Sequence, residues 1–350
     1  MLFRGLPLAF GLLAAAPALA CGFHNYAPPP SLVDRLQTSD RIILARTAPD
    51  DPFRYAARTA LLGPVEGFES DQLVDSVTRR KLAGDPVAQV LFARDAINGS
   101  WQKLAFVDPQ MGQLVDTVMD RLDDWHGPAG APDRFAFFAD QLGSTDPAIH
   151  KIALRELDQA DYGVLRSLVI DIPPAQLMRS LDILQEVNLK PIRLLLLGLV
   201  GDGAARDRLE AGTRQSADIS GRLLGAYATA LIELDGPSAV RLITREIMGD
   251  PSLTDASREM LAEALALHSL SGDPDTRAAI LSELDAALAW DPTLAPSLVR
   301  QFSMRRDWTL APALDRLTRT GETGALSAAD RLAVAAYLSG SSTAPASAGN

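Results

Sequence analysis

The feature that most limits the fold of this chain is a run of helix-length apolar segments over residues 110–339. The breaks between segments repeat an Asp-Pro pair, which begins at Asp146, Asp250, Asp273 and Asp291. Aspartate caps the first turn of a helix, and proline is tolerated in that turn because its missing N–H would have no partner there. The repeated pairs therefore predict a series of separate helices.

Apolar residues in these segments recur at helical spacing, which gives each helix one apolar face. The spacing holds for Val240, Ile243 and Ile247, for Leu261, Ala264 and Leu265, and for Ile280, Leu284, Ala287 and Leu288. Helical pairs are predicted over residues 188–214, 218–250, 253–290 and 291–321, with a closing helix over 326–338. One pair cannot bury the apolar faces of both its helices, so we expect successive pairs to stack.

The segment from Asp146 to Leu157 resembles the second half of a HEAT repeat, because it combines an Asp-Pro start, an inner basic residue and an Ala-Leu pair. The predicted pairs are somewhat shorter than the ~40 residues of HEAT-type repeats. The resemblance implies a HEAT-like α-solenoid over residues 110–339, and families of this kind mostly bind other proteins along a concave face. Residues 340–350, rich in Ser, Ala and Gly, are predicted to be a disordered tail.

Residues 32–109 have a different, mixed pattern. Strands are predicted over residues 41–45, 55–61, 87–93 and 101–107, and a helix over 71–82. Asn98-Gly99 lies between the last two strands and is a strong signal for a β-hairpin. We therefore predict a small α+β domain with a short antiparallel sheet, and an α+β fold for the whole chain. The layout of this region is similar to that of netrin-like and other OB-type domains, although the cysteines of those domains are missing.

The first 20 residues have the order of a secretory signal peptide. Arg4 precedes an apolar stretch over residues 6–16, and the small-residue triplet Ala18-Leu19-Ala20 follows. The apolar stretch is shorter than the ~20 residues that span a bilayer. We therefore expect cleavage after Ala20 and a mature protein that is exported, either periplasmic or lipid-anchored in the cell envelope.

Cys21 is the only cysteine, so a disulfide within the chain is impossible. Its position resembles that of the lipidated cysteine of bacterial lipoproteins, although Ala18 stands where that family usually has Leu. Two other interpretations remain: an inert terminal thiol on a free protein, or a metal chelate with the terminal amine and His24. The prolines of the segment over residues 21–31 predict a stiff, extended chain that separates this terminus from the fold.

The charge of the chain limits its partners. The formal net charge is −11, and removal of Arg4 with the signal peptide would make it −12. Nucleic acids and anionic lipids are bound by basic surfaces, so we expect no nucleic-acid partner and membrane contact only through a lipid on Cys21. A protein partner is compatible with this charge.

Motifs for common enzyme and cofactor sites are missing. The four histidines do not form H-E-x-x-H, and neither G-x-S-x-G nor a P-loop is present. Residues 194–203 combine an apolar run with spaced glycines, as dinucleotide sites do, but in reversed order. We interpret residues 191–200 as a buried helix that glycines end, and expect no cofactor. His268 lies on an apolar helix face and is interpreted as a core or groove histidine with one hydrogen bond.

Carboxylates offer the main alternative to a binding function. Asp116, Asp120, Asp123 and Asp124 are spaced so that most would share one face of a helix over residues 113–125. Such a group could bind a metal ion and support a metal-assisted hydrolase, with Asp116, Asp120 and Asp123 as ligands. The other interpretation is a solvated acidic face.

Arg305, Arg306 and Trp308 are the candidate partner-binding residues, because arginine and tryptophan are frequent at binding hot spots. The alternative is a tryptophan packed under the next helix, with the arginines in solvent. Together these patterns predict a non-enzymatic scaffold or protein-binding module that presents its helical repeats to an envelope or secreted partner. Besides the hydrolase, an inhibitor that acts through the Cys21 terminus remains open, as in netrin-like inhibitors.

Overall fold

The structure is a computed structural model and describes residues 28–219 and 221–343. A four-stranded antiparallel sheet comes first along the chain, and helices make up the rest, so the predicted α+β fold is confirmed. The signal peptide, Cys21 and His24 lie outside the described residues. The first part contains α1 (Leu32–Gln37), β1 (Ser39–Thr47), β2 (Tyr55–Leu62), α2 (Ser76–Gly84), β3 (Gln89–Asp95) and β4 (Trp101–Val107).

The sheet has the strand order β2-β1-β3-β4, so β2 and β4 are its edges. The predicted hairpin is confirmed: β3 and β4 are antiparallel, and Gly99 in the connection has a φ of +71°, which glycine adopts without strain. A register shift in this pair, opposite Leu91 and Phe92, places an extra residue in β4.

The helix predicted over residues 71–82 begins later than expected. The carboxylate of Asp75 accepts hydrogen bonds from the amides of Val77 (3.0 Å) and Thr78 (2.8 Å), and this cap fixes the start of α2 at Ser76. The preceding residue Val74 instead donates its amide to the carbonyl of Phe53 (2.8 Å). The apolar spacing misled the prediction because Leu73 and Val77 are exposed.

The helices after the sheet are bounded as follows: α3 (Pro109–Arg121), α4 (Ala131–Asp140), α5 (Pro147–Leu157), α6 (Tyr162–Ser167), α7 (Pro174–Ser180), α8 (Lys190–Val200), α9 (Gly203–Asp218), α10 (Leu224–Asp235), α11 (Pro237–Arg241), α12 (Asp255–Ser271), α13 (Pro274–Trp290), α14 (Ala295–Met304), α15 (Ala311–Arg319) and α16 (Ala328–Thr343). A π-helical segment, Leu242–Ile247, continues α11. The four predicted helical pairs correspond to α8 to α15, and the closing helix to α16, which continues past the predicted start of the tail.

Asp-Pro pairs begin helices at three of their four positions. Asp146 caps α5, Asp273 caps α13, and Asp291 caps a short 3₁₀ turn that leads into α14. Asp250 differs, because its carboxylate accepts from the amide and hydroxyl of Ser252 in a turn. The next helix, α12, begins only after its own cap at Thr254.

Helices α8 to α16 lie in two layers. One layer contains α8, α10, α12, α14 and α16, each in contact with the next, and the other contains α9, α11, α13 and α15 with contacts from α11 to α13 and from α13 to α15. Contacts between the layers join α8 to α9, α10 to α11, α12 to α13 and α15 to α16. The helices therefore contact both the next helix of their own layer and, between the layers, chain neighbours, although α14 and α15 of the last predicted pair are not among these contacts.

The glycine-containing segment 194–203 forms a helix–helix contact and then a helix start. Residues 191–198 of α8 are buried, and a Cβ on Gly198 would lie 2.7 Å from the Cα atom and the carbonyl oxygen of Ala230 in α10. Asp202 caps α9 by accepting a hydrogen bond from the amide of Ala205 (3.0 Å). The interpretation as a buried helix is confirmed, and Gly198 allows the close approach of α8 and α10.

Sheet and helices share an apolar core. One face of the sheet contributes Ile42, Leu91 and Ala93 to a cluster that continues through the helices to α16. The opposite face, with Ile43, Val90 and Phe92, packs against α2 in a smaller cluster.

Candidate functional site

The predicted metal ligands are not grouped. Asp116 and Asp120 are exposed on α3, which ends at Arg121, so Asp123 follows in a turn. Trp125, which follows this turn, is buried, and its indole N–H donates to Asp133 (2.6 Å). Among the residues that the structure describes, no three His, Cys, Asp or Glu side chains could together hold a metal ion.

The predicted partner-binding residues are mostly engaged within the chain. Arg305 forms an ion pair with Glu263 of α12 (2.8 Å), and the ring of Trp308 packs edge-on against Tyr337 of α16 at 5.0 Å between centroids. Arg306 is exposed and has a positive φ of 55°. The structure therefore places Trp308 under the terminal helix and only Arg306 in solvent.

His268 belongs to a buried polar cluster that the sequence did not reveal. Its Nδ1 lies 2.9 Å from the carbonyl oxygen of Ala264, and its Nε2 lies 3.0 Å from the Tyr162 hydroxyl and 3.3 Å from Oε2 of Glu233. Tyr162 also donates to Glu233 (2.6 Å), as does Arg166 (2.7 Å). The expected single hydrogen bond of His268 is thus one of several.

Glu233 is held as a carboxylate in this cluster. Burial raises its pKa, but hydrogen bonds from His268 and Tyr162, together with the Arg166 guanidinium, lower the pKa to about 2. Burial, and then the charge of Glu233, raise the pKa of Tyr162 well above its ordinary value. Because His268 is only 1% exposed, we assign the cluster to stability rather than to substrate binding.

A second buried network joins the start of the described chain to the helices. Arg134 of α4 donates to Glu156 of α5 (2.5 Å), Asp34 (2.9 Å) and the Ser31 hydroxyl (2.7 Å). The other oxygen of Glu156 accepts from the amide of Val33 (2.9 Å). Burial raises the pKa of Glu156, although Arg134 and the Val33 amide oppose this change. The network fixes α1 against α4 and α5.

The candidate binding site is a cleft of about 380 Å³ between β4, α1 and α5. Three consecutive β4 residues, Gln102, Lys103 and Leu104, line it. Lys103 pairs with Phe92 on one sheet face, whereas Leu104 packs with the core on the other. Successive strand residues face opposite sides of a sheet, so the cleft follows the edge of β4 rather than either face.

Basic side chains give this cleft its charge. Its lining includes Arg35, Lys103 and Arg155, and none of its lining residues in the described part of the chain carries a carboxylate. Arg35 donates to the carbonyl of Pro30 (3.2 Å) and to the side chain of Gln102, while Lys103 donates to Asp75 (3.1 Å). Arg155 is exposed on α5 and, within the described residues, has no hydrogen bond or ion pair.

Sequence reasoning did not find this cleft because its basic residues lie far apart in the chain. The one feature of the sequence that bears on the cleft is the prediction of four strands, because an open sheet of four strands must have two edge strands. No family model, curated protein or solved structure matches this chain. None of the helices within residues 28–219 and 221–343 combines the length and apolar character needed to cross a membrane.

Proposed function

We propose that this protein is an exported, non-enzymatic scaffold that presents a HEAT-like helical array to a protein partner in the cell envelope or outside the cell. The observation that carries this proposal is the two-layer order of α8 to α16, in which helices of one layer contact one another in succession. Such stacking is the way repeat proteins build long surfaces without a single enclosed centre.

Ion pairs between successive helices support the repeat interpretation. In one layer, Arg214 of α9 contacts Glu246 (2.8 Å), and Arg245 contacts Glu283 of α13 (2.7 Å). In the other layer, Arg305, directly after α14, contacts Glu263 of α12 (2.8 Å). A single ion pair near the surface adds little stability, but these pairs join successive helices within each layer and so favour one register between neighbouring helices.

The export part of the proposal comes from the signal-peptide pattern and Cys21, which anchors the protein if it carries lipid. The hydrolase alternative is less favoured because the Asp116, Asp120 and Asp123 side chains are exposed and not grouped around one point. The inhibitor alternative depends on the Cys21 terminus and predicts that Cys21→Ser abolishes partner binding in a protein kept soluble.

Site-specific photo-cross-linking in the producing cells tests the scaffold proposal. The cross-linking amino acid replaces Leu281 on α13 or Leu332 on α16, both exposed, and Ile97 at the hairpin is the matched control. We expect one protein adduct shared by the array positions and absent at Ile97. Absence of adducts on the array, together with stoichiometric bound metal that an Asp120→Ala variant loses, would replace the scaffold with the hydrolase.

A further inference from the structure

The cleft beside β4 combines an open strand edge with excess positive charge. Among the described residues β4 pairs only with β3, so the outer edge of β4 has backbone N–H and C=O groups without a neighbouring strand. An open edge of this kind is a template for an added extended segment. The cleft therefore offers both backbone pairing and side-chain contacts.

The charge of the cleft is opposite to that of the whole protein. The chain has a net charge of −11, yet none of the described residues that line this cleft carries a carboxylate. Asp75 neutralises Lys103, so Arg35 and Arg155 supply the excess positive charge. The Arg155 side chain has no hydrogen bond or ion pair with the described residues, so it can bind an anion without breaking such a pair there.

Apolar atoms also line the cleft. Leu104 of β4 and Ile152 of α5, both partly buried, are among its lining residues. An inorganic anion gains nothing from contact with apolar atoms, whereas every second side chain of an extended peptide would pack against them. The combination favours a peptide that alternates acidic and apolar residues.

We propose that this cleft binds an extended acidic peptide segment of another protein, which adds to the edge of β4 and places carboxylates against Arg35 and Arg155. The chain's own preceding residues 21–27 contain no acidic side chain, so charge complementarity points to a separate molecule. Part of this site belongs to α5, but it lies outside α8 to α16 and does not require that those helices bind a partner.

The test measures binding of a rhodamine-labelled Glu-Val-Glu-Val-Glu-Val peptide, blocked at both ends, to the purified protein by fluorescence anisotropy. We expect saturable binding that Arg155→Gln weakens about tenfold, as for loss of one charge-assisted hydrogen bond. The matched control is Arg58→Gln, because Arg58 is exposed on the opposite edge strand β2 and the charge change is the same. The control variant is expected to bind as wild type does.

Three further probes separate the contributions to binding. A peptide N-methylated at alternate residues should lose binding if it pairs with β4, and a Gln-Val analogue should bind weakly. Inorganic phosphate should displace the peptide only at a concentration high enough to raise the ionic strength of the solution. Equal weakening by Arg58→Gln, binding of the N-methylated peptide like the parent, or displacement by phosphate at micromolar concentration would each overturn the proposal. Because the Arg155 side chain forms no hydrogen bond or ion pair within residues 28–219 and 221–343, Arg155→Gln should melt as wild type does.

Discussion

Replacement of Glu233 by glutamine should make the stability of the protein less dependent on pH. In the native protein, the pKa of Glu233 is about 2, below its ordinary value of 4.5, because Tyr162, His268 and Arg166 hold the carboxylate. A lowered folded-state pKa stabilises the fold above pH 4.5, and this contribution is lost as the pH falls towards 2. Glutamine cannot ionise, so the variant lacks this contribution at every pH.

The size of the effect follows from the two pKa values. The difference between 4.5 and about 2 corresponds to about 3 kcal/mol of unfolding free energy at pH 7. At pH 3 about 40% of this contribution remains, because Glu233 is still mostly ionised in the folded protein. The stability gap between wild type and Glu233→Gln should therefore narrow by roughly 2 kcal/mol from pH 7 to pH 3.

Urea unfolding followed by circular dichroism at several pH values measures this gap. Glu246→Gln is the matched control, because Glu246 is exposed and pairs with Arg214 on the surface. The unfolding free energy of this variant should therefore stay close to that of wild type at each pH. In a His268→Asn background the narrowing should be smaller, since one hydrogen bond that lowers the pKa of Glu233 is lost. A gap for Glu233→Gln that does not change with pH would refute the assignment of Glu233 as a buried carboxylate.

Three further predictions concern packing, the buried ion pair and export. Gly198→Ala should lower the free energy of unfolding by about 1–3 kcal/mol, because the added Cβ atom meets the backbone of α10. Gly203→Ala is the control: its Cβ atom has open space, so its free energy of unfolding should be near that of wild type. A Gly198→Ala protein as stable as wild type would contradict the close contact. Arg134→Met should lower the free energy of unfolding by about 3–5 kcal/mol, because it leaves Glu156 buried without its cation. A simultaneous Glu156→Leu change should restore much of this loss. Unfolding of both variants by denaturant checks these expectations. Mass spectrometry should find a mature chain that begins at Cys21, with or without diacylglycerol, and a chain that still begins at Met1 would exclude the predicted cleavage.

Sequence reasoning succeeded where one local signal determines the structure. Asp273 and Asn98-Gly99 act on their immediate neighbours, so a helix start and a hairpin could be predicted from a few residues. Local rules failed where two signals compete. The apolar spacing of residues 71–82 indicated a longer helix, but the cap at Asp75 sets its start.

The polar clusters and the cleft could not be predicted because they depend on tertiary contacts. Tyr162 and His268 are 106 residues apart, and neither carries a local sign of the other. Trp308 shows the same limit, since the residues around it suggested a binding surface while its actual neighbour is Tyr337 of α16. Contacts between residues far apart in the sequence depend on which helices are neighbours in space. The periodicity of apolar residues does not give that arrangement.

The scaffold account depends on helices that are stabilised by their neighbours in the stack, and hydrogen–deuterium exchange of a Tyr337→Phe variant tests this directly. The Tyr337 hydroxyl donates to the carbonyl of Asp307 (2.6 Å) and accepts from the amide of Leu310 (3.2 Å), so its loss weakens the end of the array. In a stack, faster exchange should be greatest in α14 to α16, weaker in α12 and absent in α8 and the sheet. A uniform increase through all helices and strands would indicate one cooperative centre and contradict the account.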